Sequence, residues 1–484
     1  MLFTTPEFFI FFIVVLLGIE LIRKMFWQHL FLLAASYFFY WWSGSIYILL
    51  LVFVTLSSYL CGAKLFSSDT KKKKRTWLII GTIIPLAVLA YFKYTDWGIE
   101  SLNSIIELFG VTAQIPLLNI ALPVGISFFT FQALSYVFDI YRGTLEPEQK
   151  FHRYVLFIAF FPQLVAGPIV RASEFLPQLK NKIRITGPNL QAGVTLIIWG
   201  LFKKMVIADN IARYVEYVYN APASFSSIMI IIATILFGIQ IYCDFSGYAH
   251  IAIGCARILG LKLPDNFDLP YLARNIQLFW HKWHMTLSRF IRDYLYIPLG
   301  GNRKGHVRTY VNLFLSMTIC GLWHGAAWTF VIWGAYHGIL LMTHRFFVGE
   351  KKLGTKNRFL NSNAGLFFCI LVTQIFVFIG WMIFRANSLE DLLICVQKII
   401  FFDFTFTTAT KLACIAGITL IVIIFVLMFS NRFASFIHNI CYFDYLGFLS
   451  NQKVRYWTIY IAIFVAAILL LSPPETPDFI YFAF

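Results

Sequence analysis

The stretch "GLWHGAAW" (Gly321 to Trp328) puts His324 inside an apolar run from Val311 to Leu341. An ionisable side chain at membrane depth is costly and marks a functional site by default. An uncharged imidazole there can take the proton from a hydroxyl that attacks a thioester. Gly321 and Gly325 bracket His324 and leave room for a ligand to approach the backbone. A packed histidine bonded to a neighbouring carbonyl is the alternative.

Two further stretches hold polar groups among apolar ones. In "FWHKWHMTLSRFIRDYLYIPLGG" (Phe279 to Gly301), His281 and His284 are three apart. That spacing predicts one shared helix face for them, as it does for Trp280 and Trp283. Arg289 and Asp293 are placed to pair at i, i+4. Two helical histidines could ligate zinc, but the Glu of H-E-x-x-H and a third ligand are missing. "PLGGNRKG", which holds Asn302, reads as a turn, with phosphate binding as the weaker option because P-loop spacing is absent. In "IQIYCDFSGYAHIAIGCARILG" (Ile239 to Gly260), Asp244 and His250 interrupt an apolar run. Asp244 with Tyr242, Ser246 and Tyr248 reads as a polar lining, or as hydrogen bonding between helices.

The elements carrying these groups must be membrane helices. The chain has 484 residues, 59% hydrophobic and 13% charged, against about 25% charged in a soluble protein. Fifty-three Phe and thirteen Trp suit lipid-facing and interfacial positions. The fold class is all-α, a polytopic transmembrane bundle of about eleven spans with re-entrant or short helices. Apolar stretches start near Trp77, Leu117, Tyr154, Leu190, Ser227, Tyr310, Gly365, Leu412 and Tyr456. A break at "WWSGS" divides an earlier one into a helix, a turn at Ser43-Gly44 and a return. Residues 262–310 are too polar for a lipid-exposed span and too apolar for a free loop, which points to an element covered by protein.

The formal charge of +16 could suggest nucleic acid, but basic cytoplasmic loops such as Lys71 to Arg75 account for it. Basic loops can also attract an anionic cosubstrate. The eight cysteines form no C-x-x-C pair and mostly lie in apolar runs, so they read as buried small hydrophobes without a disulfide framework. Residues 1–22 lack a basic n-region and a cleavage site, and Arg23 and Lys24 follow them. This predicts an uncleaved first span with its N-terminus outside. Lys453 and Arg455 put the start of the last span in the cytoplasm, so the segment from Ser472 emerges outside.

Taken together and in order, four stretches resemble the membrane-bound O-acyltransferase (MBOAT) superfamily, in particular its bacterial alginate O-acetylation (AlgI-like) branch. They are "LPVGISFFTFQALSYVFDIYRG", "FIAFFPQLVAGPIVRASEFLPQL", the run from "QIYCDFSGYAH" to "YIPLGGNR", and "GLWHGAAWTFVIWGAYHG". The resemblance covers nearly the whole chain. It implies a helical bundle with a central tunnel, and a site near the membrane middle. It implies that His324 is the catalytic histidine and that His284 is a second histidine near the cytoplasmic funnel. Phe290 stands where a Trp is common. Trp323, Trp283, Asp244, Arg289, Asp293 and Asn302 are the candidates for binding substrate or lining the tunnel. No bound cofactor or metal is expected. The cosubstrate is an acyl thioester, acetyl-CoA or an acyl carrier protein.

The segment "SPPETPDFIYFAF" (Ser472 to Phe484) matches an aromatic motif of relatives in this branch and of D-alanyl transfer to teichoic acids. By that resemblance Tyr481 carries the acyl group between donor and acceptor. From Pro473 to Tyr481 an extended chain reaches roughly 30 Å, enough to enter an outer cavity and approach His324. Residues 1–471 then form the transmembrane domain and 472–484 an extracytoplasmic tail. A periplasmic SGNH-type transferase is the expected partner, acting on a glycan in the envelope of a bacterium with the chain in its inner membrane. Peptidoglycan, cellulose and teichoic acid are the alternative acceptors. A transporter with His324 and Asp244 as proton relays is the rival class, and no inverted repeat supports it.

Overall fold

The computed structural model describes residues 1–165, 167–348, 362–402, 447, 451–474, 477 and 479–480. Every regular element among them is helical. Tyr481, Cys414 and Cys441 lie outside the described residues, as does the apolar stretch near Leu412. Among the described residues six helical runs are long and apolar enough to cross a membrane: Ile48–Phe66, Lys71–Leu108, Gly187–Tyr219, Ser227–Ile258, Asn363–Arg385 and Val454–Leu471.

The chain opens with α1 (Pro6–Leu21) and α2 (Met25–Gly44), and a short 3-10 turn leads into α3 (Ile48–Phe66). The break expected at "WWSGS" is there. Helix α4 (Lys71–Leu108) runs 38 residues, with Thr70 capping its first turn and Pro85 inside it. At 1.5 Å per residue it is longer than the roughly 30 Å hydrocarbon core. Its second half carries Lys93 and Tyr94, which meet the chain at residues 322–324. Helix α5 (Ile126–Tyr141) is buried over almost all its length.

The stretch near Tyr154 does not form a span. It gives α6 (Phe151–Ala159), a break at Phe160, and α7 (Phe161–Leu164), with α8 (Ala172–Phe175) after it. Pro162 lies in the first turn of the second piece, where its missing N–H costs no helical bond. Residues Tyr154 to Leu164 are all buried in protein, so their apolar character serves a core rather than a lipid face.

Helix α9 (Gly187–Leu201) continues through a π-helical stretch, Phe202–Ala208, into α10 (Asp209–Tyr219). Antiparallel to it lies α11 (Ser227–Ile258). Two glycine pairs at seven-residue spacing bring their backbones together. A Cβ on Gly193 would sit 2.6 Å from the Gly254 oxygen, and one on Gly200 would sit 2.5 Å from the Gly247 oxygen. Small residues at helix interfaces permit such approach in membranes.

Residues 262–310 fold as short protein-covered pieces: α12 (Ile276–Lys282), α13 (Met285–Ile291) and a π-helical turn Arg292–Tyr296. Helix α14 (His306–His324) and α15 (Trp328–Val348) form a tight hairpin, followed by α16 (Asn363–Arg385) and α17 (Leu389–Ile400). The last described helix, α18 (Val454–Leu471), lies along α9 and α10. Gln191 donates to the Gln452 carbonyl, Trp457 to Thr195, and Asn210 to the Leu471 carbonyl, so α18 runs parallel to them. Of the described cysteines, Cys61, Cys243, Cys255, Cys320 and Cys395 are buried and Cys369 is half-buried; all are free thiols.

Candidate active site

His324 is the last residue of α14. The carbonyls at that helix end have no partner within the helix, and α4 supplies them. The Lys93 ammonium donates to the Trp323 and His324 carbonyls at 2.7 and 2.9 Å, and the Tyr94 hydroxyl donates to Leu322 at 2.8 Å. A cation at a helix C-terminus is favoured by the macrodipole. The imidazole is buried against Trp323, Trp333 and Phe384, with ring centroids 5.0, 5.1 and 5.5 Å away.

The bracketing glycines have a different use from the one expected. A Cβ on Gly321 would strike the Phe330 carbonyl and Gly334 of α15, and one on Gly325 would strike the Phe330 ring. The room they leave is filled by the partner helix and not by a ligand.

His284 does not share a helix face with His281. Helix α12 stops at Lys282, and His284 takes a left-handed conformation, φ 42°, before α13 begins. The turn is held by Asn266. Its Oδ1 accepts from the Thr286 hydroxyl at 2.6 Å and meets His284 Nδ1 at 3.3 Å, while its carbonyl accepts from Met285 N at 2.9 Å. The break turns His284 into the core, fully buried, and leaves His281 exposed. The two-histidine zinc arrangement needs both on one face. Among the described residues no group of three metal-ligating side chains occurs.

Two cavities approach His324. The larger, about 680 Å³, is lined by His281, Arg289, Arg292, Asn302, His344 and Arg345 among others. Its deep wall includes Trp280, Met317 and Cys320, the last two on the His324 face of α14 at i−7 and i−4. The smaller, about 60 Å³, is lined by His324 itself with Trp323, Lys93, Ser127 and Val165.

The other candidates divide. Trp323 lines the small cavity and stacks on Phe131 at 5.2 Å. Arg289 and Asn302 line the large cavity. Trp283 packs against Trp381, Phe267 and Phe279, which makes it core rather than lining. Arg289 and Asp293 do not pair with each other. Arg289 meets Glu174 at 3.0 Å, and Asp293 meets Arg171 at 2.6 Å and Arg292 at 2.7 Å. The π-helical turn beginning at Arg292 alters the i, i+4 phase. "PLGGNRKG" is a turn with Gly300, Gly301 and Gly305 at positive φ.

Asp244 is no simple polar lining. It lies 3.1 Å from the Lys204 ammonium, which also pairs with Asp209 at 2.7 Å. Its second oxygen accepts from the Ile480 amide at 2.8 Å. The segment after α18 thus turns back into the bundle. Phe479 is buried, stacked on Tyr248 at 4.2 Å and 6.1 Å from Phe245, which lies 4.7 Å from His284. Lys93, Lys204, Asp209 and Asn266 were missed in the sequence. A lysine and aspartates inside apolar runs were the available signal, whereas nothing local marked Asn266.

A helical membrane bundle that holds a buried histidine pair, a basic cavity and an inserted tail has the parts an acyl-transfer enzyme needs. The chain belongs to the membrane-bound O-acyltransferase family, whose model matches residues 149–388. It is 38% identical over 362 residues to a peptidoglycan O-acetyltransferase of Helicobacter pylori, covering 69% of this chain and 67% of that one. It is 36% identical over 395 residues to a probable alginate O-acetylase AlgI of Pseudomonas aeruginosa, covering 81% and 73%. A teichoic acid D-alanyltransferase of Bacillus subtilis is 31% identical, covering 54% and 68%.

Proposed function

We propose that this multi-pass membrane protein moves an acetyl group from a cytoplasmic thioester, acetyl-CoA or an acyl carrier protein, to the outer face of a bacterial inner membrane. The observation that carries the reading is the buried pair of His324 and His284: α14, which ends at His324, lines the basic cavity with Met317 and Cys320, and His284 touches Phe245, which meets the inserted Phe479. The arginines of the large cavity suit the phosphate that either thioester carrier bears. In this reading His324 takes the Tyr481 phenol proton, and the oxygen attacks the thioester carbonyl. A C–O bond forms, the C–S bond breaks, and the imidazolium returns the proton to the leaving thiolate. His284 lines the donor's path beside it. A periplasmic SGNH-type partner then moves the acetyl group from Tyr481 to a hydroxyl of an alginate-like exopolysaccharide. Peptidoglycan is the second reading, favoured by the Helicobacter pylori relative.

The test is acyl labelling of purified full-length chain with radiolabelled acetyl thioester. Wild type becomes labelled on Tyr481, whereas Tyr481→Phe and His324→Ala do not. Label that persists on Tyr481→Phe overturns the carrier role.

A further inference from the structure

The cluster of Lys204, Asp209 and Asp244 is costly, since each charge leaves water for a site almost without exposure. Its geometry has a use that ion pairing alone does not explain. An ammonium has three donors. That of Lys204 faces Asp209 Oδ1 at 2.7 Å, Asp244 Oδ1 at 3.1 Å and the Pro477 carbonyl at 3.2 Å. Asp244 divides its oxygens, one toward Lys204 and the other accepting from the Ile480 amide. The cluster therefore holds one backbone acceptor and one backbone donor, three residues apart, on the tail.

We infer that this cluster is the docking latch for segment 477–480, with Lys204, Asp209 and Asp244 as positioning residues for Tyr481. The inference rests on the carrier reading only for what Tyr481 does. Both contacts are to backbone, so the latch fixes where the chain lies. The register itself comes from Phe479 between the two contacts, because a slip of one residue takes its ring away from Tyr248 and Phe245. Pro477 has no N–H to compete for the cluster and presents only its carbonyl. Between the two contacts Phe479 inserts beside Tyr248 and Phe245, and Phe245 touches His284. Tyr481 follows Ile480 by one peptide, about 3.8 Å between Cα atoms.

The surrounding fold supports the latch. The π-helical stretch begins just before Lys203 and Lys204 and buries both; Lys203 donates to Ser246 while Lys204 meets Asp244. Such turns recur at functional sites. The Gly200–Gly247 contact brings α9 close enough for Lys204 to reach Asp244. Asn210 caps α18 at Leu471, which fixes where the tail departs.

The test is amide hydrogen exchange of the full chain in detergent, read by mass spectrometry on the peptide covering 477–484. Lys204→Met and Asp244→Leu raise exchange at that peptide about tenfold, as expected for losing a charge-assisted hydrogen bond. Asp244→Asn retains an acceptor for Ile480 and keeps more protection than Asp244→Leu. The α5 peptide, 126–141, reports whether the bundle is intact. Tail protection unchanged in Lys204→Met and Asp244→Leu overturns the latch. Should either substitution disturb α5, a glycine inserted after Ile480 leaves both latch contacts whole and shifts Tyr481 by one residue. Labelling at Tyr481 then falls about a hundredfold, the cost of a small misplacement, with donor KM unchanged; undiminished labelling overturns the latch. Exchange that responds as stated while wild-type Tyr481 takes no label sinks the carrier reading and leaves the latch standing.

Discussion

The imidazoles of His284 and His324 stand 6.4 Å apart between ring centroids. Trp323 touches both, at 6.0 and 5.0 Å. One histidine sits at an interruption between two short helices and the other at the end of a longer one. Helix interruption and helix termination, placed side by side, make the pair.

The backbone at His284 separates its two roles. A left-handed residue tolerates Asn but strains a β-branched side chain. His284→Asn is expected to keep the thermal midpoint of wild type and to lower turnover. His284→Val is expected to lose about 1–3 kcal/mol of stability. Thermal unfolding in detergent beside acyl-transfer rates checks both. Full turnover in His284→Asn would leave the ring with a packing role only.

Lys93 holds the end of α14. Lys93→Met leaves the Trp323 and His324 carbonyls without their cation, at a cost of about 1–3 kcal/mol. Turnover falls because His324 loses its fixed backbone, while donor affinity, which the proposed function assigns to the other cavity, stays. A variant with normal turnover and reduced donor binding contradicts this assignment.

The glycine contacts between α9 and α11 are backbone to backbone. Gly200→Leu adds a side chain where Gly247 leaves no space, and a loss of about 3 kcal/mol follows from overpacking. The full-length protein should elute as aggregate or unfold at lower temperature. Gly98→Ala, at a site with open space around it, is the control and stays like wild type.

Asp293 lies outside the candidate spans. Burial raises its carboxyl, but hydrogen bonds from Arg292 and Arg171 outweigh that and hold it below the ordinary carboxylate range. Its folded value is lowered, so its stabilisation is full above about pH 4 and is lost as pH falls through the lowered value. The thermal-midpoint difference between wild type and Asp293→Asn should therefore shrink from about pH 6 to about pH 3. A difference that grows with acid would show that the ion pairs are not what Asp293 contributes.

The sequence by itself determined the all-helical membrane class, the family and the break near Gly44, and it marked His324 as an ionisable group in an apolar run. These rest on composition, apolar run length and local motifs, which are read along the chain. It also marked Asp244, because an aspartate in an apolar run must have a reason. What Asp244 binds was decided only in three dimensions. Its partners Lys204 and Ile480 lie 40 and 236 residues away in the chain, brought in by glycine packing and by the return of the tail. The separation of His281 from His284 and the pairing of Asp293 with Arg171 were likewise tertiary decisions. Helical spacing assumes an unbroken helix, and Asn266, distant in sequence, stabilises the break. Local pattern names the groups that must be buried, but only packing chooses the oxygen or amide that meets each of them.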